Sequence, residues 1–189
     1  MALQKKLAII SLSIALLMSM RMSYAQDGIS VERGEWKHAY IDKIAVEKDW
    51  FEANDFLADH DLTSYWELDL ADLHGSKNNG IEGRTQNVTE IGFTPVIRWS
   101  QTKTDSIFFQ KTEGFFAEIG IGPNHMASRF NNNGRVMGSC FQFGDHVGVG
   151  YKFENGAELT LKFQHYSNAG MAEPNPAINF ATLKFGYMF

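Results

Sequence analysis

The chain has 189 residues, of which 44% are hydrophobic and 21% charged, and its formal net charge is −5. The length fits a single domain, and an acidic chain is unsuited to nonspecific binding of nucleic acid. The single cysteine, Cys140, excludes an internal disulfide and any site built from several cysteines. Beyond residue 25 no run of 18 apolar residues occurs, which excludes a membrane protein made of several helices.

The first 25 residues have the three parts of a secretory signal peptide. Lys5 and Lys6 form a basic start, residues 7–18 are apolar, and small residues precede a cleavage site after Ala25. The length and flanks of this segment disfavour the alternative, a permanent membrane anchor. We therefore expect a signal peptide of residues 1–25 and a single mature domain of residues 26–189. Export with a lone thiol suits the periplasm or the outer membrane.

The mature chain predicts β-strands, because apolar and polar residues alternate with a period of two. In chain order the eight predicted strands are residues 28–36 and 40–50, whose patterns are weaker, then 66–71, 91–100, 115–122, 141–153, 159–164 and 181–189. Polar breaks separate these segments, and residues 154–156 are short enough for a tight hairpin. We expect long and short connections to alternate, as in barrels with short periplasmic turns and long outer loops.

Eight alternating strands fit a soluble sandwich or barrel, or an all-β, antiparallel transmembrane β-barrel. Three details favour the transmembrane barrel. The apolar faces end in aromatic residues typical of an interfacial girdle: Trp66, Trp99, Tyr151 and Tyr187. The opposite faces carry charges and glycines where a soluble core would need leucine and valine. The chain also ends on a strand that finishes with Phe189, as outer-membrane barrels do.

Several polar residues are interpreted as parts of the scaffold. Arg98 and Glu118 fall on the inward faces of their strands and predict a buried polar network. Pro95 has no N–H for the strand ladder, so we expect a bulge or another local irregularity there. His38, His60 and His74 show no metal-ligand spacing with each other or with Cys140, and neither a metal nor a cofactor is predicted. An acidic stretch around residues 55–61 is interpreted as a solvated loop rather than a calcium site.

Three polar residues interrupt the apolar faces near one end of the barrel. His165 and Ser167 lie on the same side of a strand, where an imidazole can act as general base for a hydroxyl. They continue the lipid-facing series of residues 159–163, and Asn179 continues the lipid-facing series of the last strand. Polar groups facing hydrocarbon are costly, and a hydrolase acting on a membrane lipid would explain them. On spacing alone, a strand that simply enters the headgroup region is the simpler interpretation.

The segment of residues 165–170 has the sequence HYSNAG, and Pro174 and Asn175 follow it. This segment resembles the lipid A 3-O-deacylase (PagL-type) family, with weaker similarity at residues 28–32, 92–95 and 98–99. The resemblance implies an eight-stranded outer-membrane barrel that removes the 3-O-linked acyl chain of lipid A. It also implies a His/Ser/acid triad on the outer surface of the barrel.

Residue by residue, the resemblance implies that Ser167 is the nucleophile and His165 the general base. Asn168 and Gly170 would contribute to an oxyanion hole, partly through backbone N–H groups. The family pattern places a glutamate 12 residues after the serine, where this chain has Asn179.

The change to Asn179 has two interpretations. An asparagine can orient an imidazole by accepting its N–H, but it cannot offset the charge of the imidazolium. The first interpretation is that Asn179 is the third catalytic residue. In the second, Glu173 replaces the missing acid from the following loop, although a solvated loop charge is the simpler reading of Glu173.

The sequence thus predicts a monomeric or homodimeric outer-membrane esterase that acts on lipid A, the membrane anchor of lipopolysaccharide, without a cofactor. The alternative is a non-catalytic structural or lipid-binding barrel with a degenerate triad. A channel for small solutes is disfavoured, because side chains fill the interior of an eight-stranded barrel.

Overall fold

The computed structural model describes residues 27–37, 39–49, 57, 60, 62–75, 87–100, 114–132 and 135–189. In chain order the strands are β1 (Asp27–Trp36), β2 (Ala39–Asp49), β3 (Leu62–Gly75), β4 (Asn87–Ser100), β5 (Phe115–Met126), β6 (Asn131–Asn132), β7 (Arg135–Val136), β8 (Phe141–Lys152), β9 (Ala157–Ser167) and β10 (Ile178–Met188). No helix among the described residues is long and apolar enough to cross a membrane. The predicted signal peptide, residues 1–25, lies outside the described residues.

Eight strands close into one antiparallel barrel in the order β1-β10-β9-β8-β5-β4-β3-β2. The barrel closes where β1 pairs with β10, with Gly28 opposite Met188. Closure pairs both edges of every barrel strand, which satisfies the backbone groups that lipid cannot. The predicted eight-stranded fold is confirmed, including the two weaker strands, β1 and β2. The short strands β6 and β7 form a separate hairpin between β5 and β8.

The outer surface is apolar and the interior is polar. Outward side chains such as Val31, Ile119 and Leu161 are 56%, 59% and 58% exposed, whereas the alternate positions are buried and often charged. This is the distribution of a transmembrane β-barrel, which faces lipid outside and packs polar groups inside. Of the predicted girdle residues, Trp99, Tyr151 and Tyr187 lie where their strands reach the end of the barrel that holds the chain termini.

The opposite end of the barrel, where β1, β3, β5 and β9 finish, is called the distal end below. At this end the polarity of the two faces is reversed. Asp72 and His74 point outward, and an apolar cluster fills the interior. The cluster includes Ile41, Leu73, Phe130, Tyr166 and Phe180. This reversal explains why the sequence predicts that β3 ends at residue 71 although the strand continues to Gly75, because the expected polarity of its faces reverses beyond residue 71.

A network of buried charges occupies the middle of the interior. The Arg98 guanidinium donates to Glu118 at 2.8 Å and to Glu158 at 3.0 Å, which confirms the predicted network of Arg98 and Glu118. The ammonium group of Lys184, fully buried, donates to Glu47 at 2.8 Å and to Glu67 at 3.2 Å. These ion pairs connect strands from opposite sides of the barrel and fill its interior with side chains.

Replacing Lys184 with methionine is expected to destabilise the barrel by about 3–5 kcal/mol, because Glu47 then keeps a buried charge without its partner. Urea unfolding in lipid vesicles, followed by tryptophan fluorescence, measures this loss. The matched control is Arg33→Ala. Its ion pair with Asp42 is 3.3 Å long, but the side chains are 72% and 45% exposed, and the expected cost is below about 1 kcal/mol. Equal losses for the two variants would contradict the interpretation.

The expected irregularity at Pro95 is present. The β4–β5 ladder pairs residues 90–92 and 96–100 but is interrupted at residues 93–95. The register is the same on both sides, so the interruption contains no extra residue and is not a bulge. Pro95 and Pro123 lie on the two strands at this point, and neither can donate a backbone hydrogen bond.

Of the two expectations about the loops that connect the strands, one is confirmed and the other is wrong. Residues 153–156 form the predicted tight hairpin, in which Gly156 N–H donates to Phe153 O at 3.0 Å and Gly156 has φ 86°. The expected alternation of long and short connections is wrong. β1 and β2 are joined by two residues at the distal end, whereas long connections follow β2 and β4 at the end with the termini. Connection length is a property of each loop and does not follow from barrel closure.

Candidate active site

His165 and Ser167 lie on the outer surface, near the distal end of β9. Gln164, which precedes His165, and Tyr166, which lies between His165 and Ser167, are 3% and 0% exposed and point inward. Leu161, in contrast, is 58% exposed. His165 and Ser167 have the outward parity of Leu161 and are half-buried among their neighbours. Their predicted outward placement is therefore confirmed.

The first contact of the site joins His165 to Asn179 on the neighbouring strand. The register of β9 and β10 places their Cα atoms opposite each other, and His165 Nδ1 lies 2.6 Å from Asn179 Oδ1. An amide oxygen only accepts, so Nδ1 carries the hydrogen and Nε2 remains an acceptor. This is the tautomer that a general base requires.

Ser167 lies two residues further along the same face, and Nε2 is the ring nitrogen left for its hydroxyl. No hydrogen bond joins Ser167 to the ring in the described part of the chain. Catalytic hydrogen bonds of this kind often tighten only in the complex with substrate. The structure thus brings His165 and Asn179 into contact and places Ser167 beside them.

Aromatic side chains border the three polar residues on both sides. Phe141 and Phe143, on β8, pack edge to face with ring centroids 5.3 Å apart. On the other side Trp36 and Phe163 pack edge to face at 5.8 Å, across the strand that carries the small residue Ala181. A polar centre between apolar walls suits a substrate with a polar linkage and long acyl chains.

The register also brings an acidic residue to the site. Asp145 on β8 lies opposite His165, and Phe143 lies opposite Ser167. The sequence contains a signal for Asp145, because it breaks the apolar series of residues 141–153. Sequence reasoning missed its connection to His165, since the pairing of β8 with β9 is not encoded in the period of either strand.

A tight turn follows Ser167. Asn168 O accepts from Met171 N–H at 3.0 Å, and Asn168 Oδ1 accepts from Gly170 N–H at 3.0 Å. Ala169 and Gly170 have φ angles of 52° and 76°, as in a type I′ turn. A non-glycine residue with positive φ persists only where its surroundings impose it, and here the buried Asn168 provides the bonds that do so.

The N–H groups expected to form an oxyanion hole have partners within this loop. Asn168 N–H donates to Asn175 Oδ1 at 3.0 Å, and the N–H of Gly170 is the one bound by the Asn168 side chain. The Asn168 side chain also donates to Ala172 O at 2.7 Å. These groups reach a substrate oxygen only if the two side-chain oxygens release them.

Glu173, the alternative third residue, is exposed in the same loop, and its backbone packs against Gly138. Asn179 already occupies the hydrogen-bonding position at His165 Nδ1, so the geometry favours Asn179 over Glu173. Among the described residues, no group of three or more histidines, cysteines and carboxylates could hold a metal ion.

A closed eight-stranded barrel with a serine and a histidine on its apolar outer surface defines a class of protein: a β-barrel with a hydrolase-type site that faces lipid. The sequence profile of the lipid A 3-O-deacylase (PagL) family matches residues 43–188. The chain belongs to this family.

Two relatives are named lipid A deacylase PagL. The protein from Bordetella bronchiseptica is 33% identical over 126 residues, which are 67% of this chain and 58% of that protein. The protein from Pseudomonas aeruginosa is 32% identical over 122 residues, 65% of this chain and 62% of that protein. The chain therefore spans about three fifths of the length of these curated relatives.

A solved structure has the same fold. The crystal structure of the outer membrane enzyme PagL matches with a TM-score of 0.64 at 24% identity, covering 85% of this chain and 98% of that chain. At this identity the similarity concerns the fold, and the roles of the individual side chains rest on the geometry described above.

Proposed function

We propose that the protein is an esterase of the Gram-negative outer membrane that removes the 3-O-linked acyl chain of lipid A. The observation that carries this proposal is the contact of 2.6 Å between His165 and Asn179, beside Ser167 on the outer surface. Family membership and the names of the two relatives support the substrate class.

In the first half of the reaction, Ser167 Oγ attacks the carbonyl carbon of the ester while His165 Nε2 takes the hydroxyl proton. Asn179 Oδ1 holds the ring through Nδ1. The tetrahedral intermediate collapses when the bond from the carbonyl carbon to the sugar oxygen breaks. His165 returns its proton to that oxygen, which leaves a free sugar hydroxyl and an acyl group on Ser167.

In the second half, water attacks the acyl-enzyme and His165 takes a proton from it. The bond from the carbonyl carbon to Ser167 Oγ then breaks, Oγ regains the proton, and the fatty acid leaves. Each half of the reaction passes through a tetrahedral intermediate that carries an oxyanion. We assign the stabilisation of this oxyanion to the backbone N–H groups of Asn168 and Gly170. These groups would give up their hydrogen bonds to Asn175 Oδ1 and Asn168 Oδ1 and donate to the oxyanion instead.

Because the site lies on the outer surface of the barrel, lipid A could reach it without leaving the bilayer. Acyl chains of lipid A would lie along the apolar walls formed by Phe143 and Phe163. Each chain carries Ser167, His165 and Asn179 itself, so we infer that a monomer is active and that a homodimer is not required. The mechanism uses only side chains and backbone N–H groups of the protein, together with water, and needs neither a cofactor nor a metal.

The test is incubation of the purified barrel in detergent with a lipid A that carries both ester-linked and amide-linked chains. Mass spectrometry should show the loss of one ester-linked 3-hydroxyacyl chain and the appearance of the free acid. In water enriched in oxygen-18, the label should enter the released acid and not the sugar, because the acyl–oxygen bond is the one that breaks. Label in the sugar hydroxyl would contradict the mechanism.

The presence of Asn179 where the family pattern has glutamate favours one alternative, a non-catalytic structural or lipid-binding barrel. If the barrel is non-catalytic, lipid A should remain unchanged after long incubation and should stay bound to the purified barrel. Turnover that depends on Ser167 excludes it.

A further inference from the structure

We propose that Asp145 is a positioning residue that supplies His165 with the negative charge missing at Asn179. This inference rests on the proposed ester hydrolysis and names a second partner of the same histidine. The chemistry requires such a charge. When His165 accepts a proton it becomes an imidazolium, and a neutral amide orients that cation without offsetting its charge.

The register places the three residues in one row across the barrel. On β9, His165 lies opposite Asp145 of β8 on one side and opposite Asn179 of β10 on the other. All three have outward parity and are half-buried. Directly opposite residues on antiparallel strands have Cβ atoms about 4.5–5.5 Å apart. The side chains of Asp145 and His165 are therefore neighbours on the outer surface.

Asp145 is an isolated charged residue on a mainly apolar part of the outer surface. On the described outward faces of β5, β8, β9 and β10 it is the only aspartate, glutamate, lysine or arginine. Its neighbours on that surface include Ile121, which is 61% exposed, and Val147, which is 56% exposed. A carboxylate on a lipid-facing surface costs free energy, and its place beside His165 provides a reason for that cost.

In this proposal, Asn179 and Asp145 together perform the two functions of the acid in a catalytic triad, which are to orient the imidazole and to offset its positive charge. Asn179 holds Nδ1 and thereby fixes the tautomer. Among the described residues no ion pair joins Asp145 to the ring, whose Nδ1 is bound to Asn179. The effect of Asp145 acts through space, where the low dielectric of the apolar surroundings strengthens the attraction between carboxylate and imidazolium.

A double-mutant cycle between Asp145→Asn and Asn179→Asp tests the proposal. The first variant removes the charge from β8 without changing the shape of the side chain, and the second places a charge at Nδ1. Two rates are measured. One is lipid A deacylation, with kcat and KM determined separately, and the other is phosphonylation of Ser167 by a fluorophosphonate probe, which needs no lipid substrate.

We expect Asp145→Asn to lower kcat and the labelling rate by about 10- to 100-fold, less than the roughly 10²- to 10⁴-fold that a general base itself contributes, and to leave KM unchanged. Asp145→Glu should restore most of the rate. In the Asn179→Asp background, the same removal should cost less than about threefold, because the new carboxylate already offsets the imidazolium. The control Asp72→Asn removes an outward carboxylate from β3, where its partner is His74 at 3.4 Å, and should change neither rate.

The outcomes separate this inference from the proposed function. If lipid A stays intact while labelling still depends on Asp145, the proposed substrate fails and the inference stands. If wild type cleaves lipid A and Asp145→Asn is as fast as Asp72→Asn, the inference is overturned. It is also overturned if Asp145→Asn costs the same factor in both backgrounds, or if only KM changes.

Discussion

Replacing Ser167 with alanine is expected to lower the rate of lipid A deacylation by about 10⁴- to 10⁶-fold, the range found when single members of a catalytic triad are removed. The hydroxyl is the only nucleophile that the proposed mechanism offers to the ester. Because Ser167 is half-buried on the outer surface, alanine leaves no buried cavity and the barrel should fold normally. Quantitative mass spectrometry of lipid A and its product measures the rate.

Ser64→Ala is the matched control, since Ser64 is a half-buried outward serine on β3, and it should have the activity of wild type. His165→Gln should lose nearly as much activity as Ser167→Ala. The double variant should lose little more, because residues that act as a unit are not additive. If Ser167→Ala keeps more than about a tenth of the wild-type rate, Ser167 is not the nucleophile and a different residue must be sought.

Replacing Asn179 with aspartate is expected to raise kcat by about 10- to 100-fold. The two side chains have the same shape, so a carboxylate oxygen would take the place of the amide oxygen now 2.6 Å from His165 Nδ1. In serine proteases the opposite change, aspartate to asparagine, costs about 10⁴ in kcat, partly through a wrong tautomer. The smaller gain expected here follows from the tautomer, which Asn179 already provides, and from the negative charge that we propose Asp145 to supply.

Two further variants define what position 179 contributes. Asn179→Leu removes the acceptor and should lower kcat below that of wild type, because the ring loses its orientation. Asn179→Glu introduces the residue of the family pattern, which is one methylene longer, and should gain activity if the strands allow the extra length. If both acidic variants are inactive and Glu173→Ala abolishes turnover, the third residue of the site lies in the loop and not on β10.

Much of this protein follows from local patterns in the sequence. The period of two placed all eight barrel strands, because alternate residues of a strand face opposite sides wherever the strand lies. For the same reason it placed His165 and Ser167 on the outer surface. The distal end of β3 is not predicted, since its outward residues change from apolar to polar at Asp72 and the pattern no longer marks a lipid-facing strand.

The sequence by itself determined the class of fold, the outward parity of the serine–histidine pair and the replacement of the family glutamate by Asn179. Only the tertiary structure decided which residues meet. Asn179 and Asp145 lie across strands on either side of His165, and within the following loop Asn175 binds the backbone of Asn168. Parity is a property of one strand, whereas register depends on how all eight strands close into a barrel. A local pattern therefore predicts the direction of a side chain but not its neighbour.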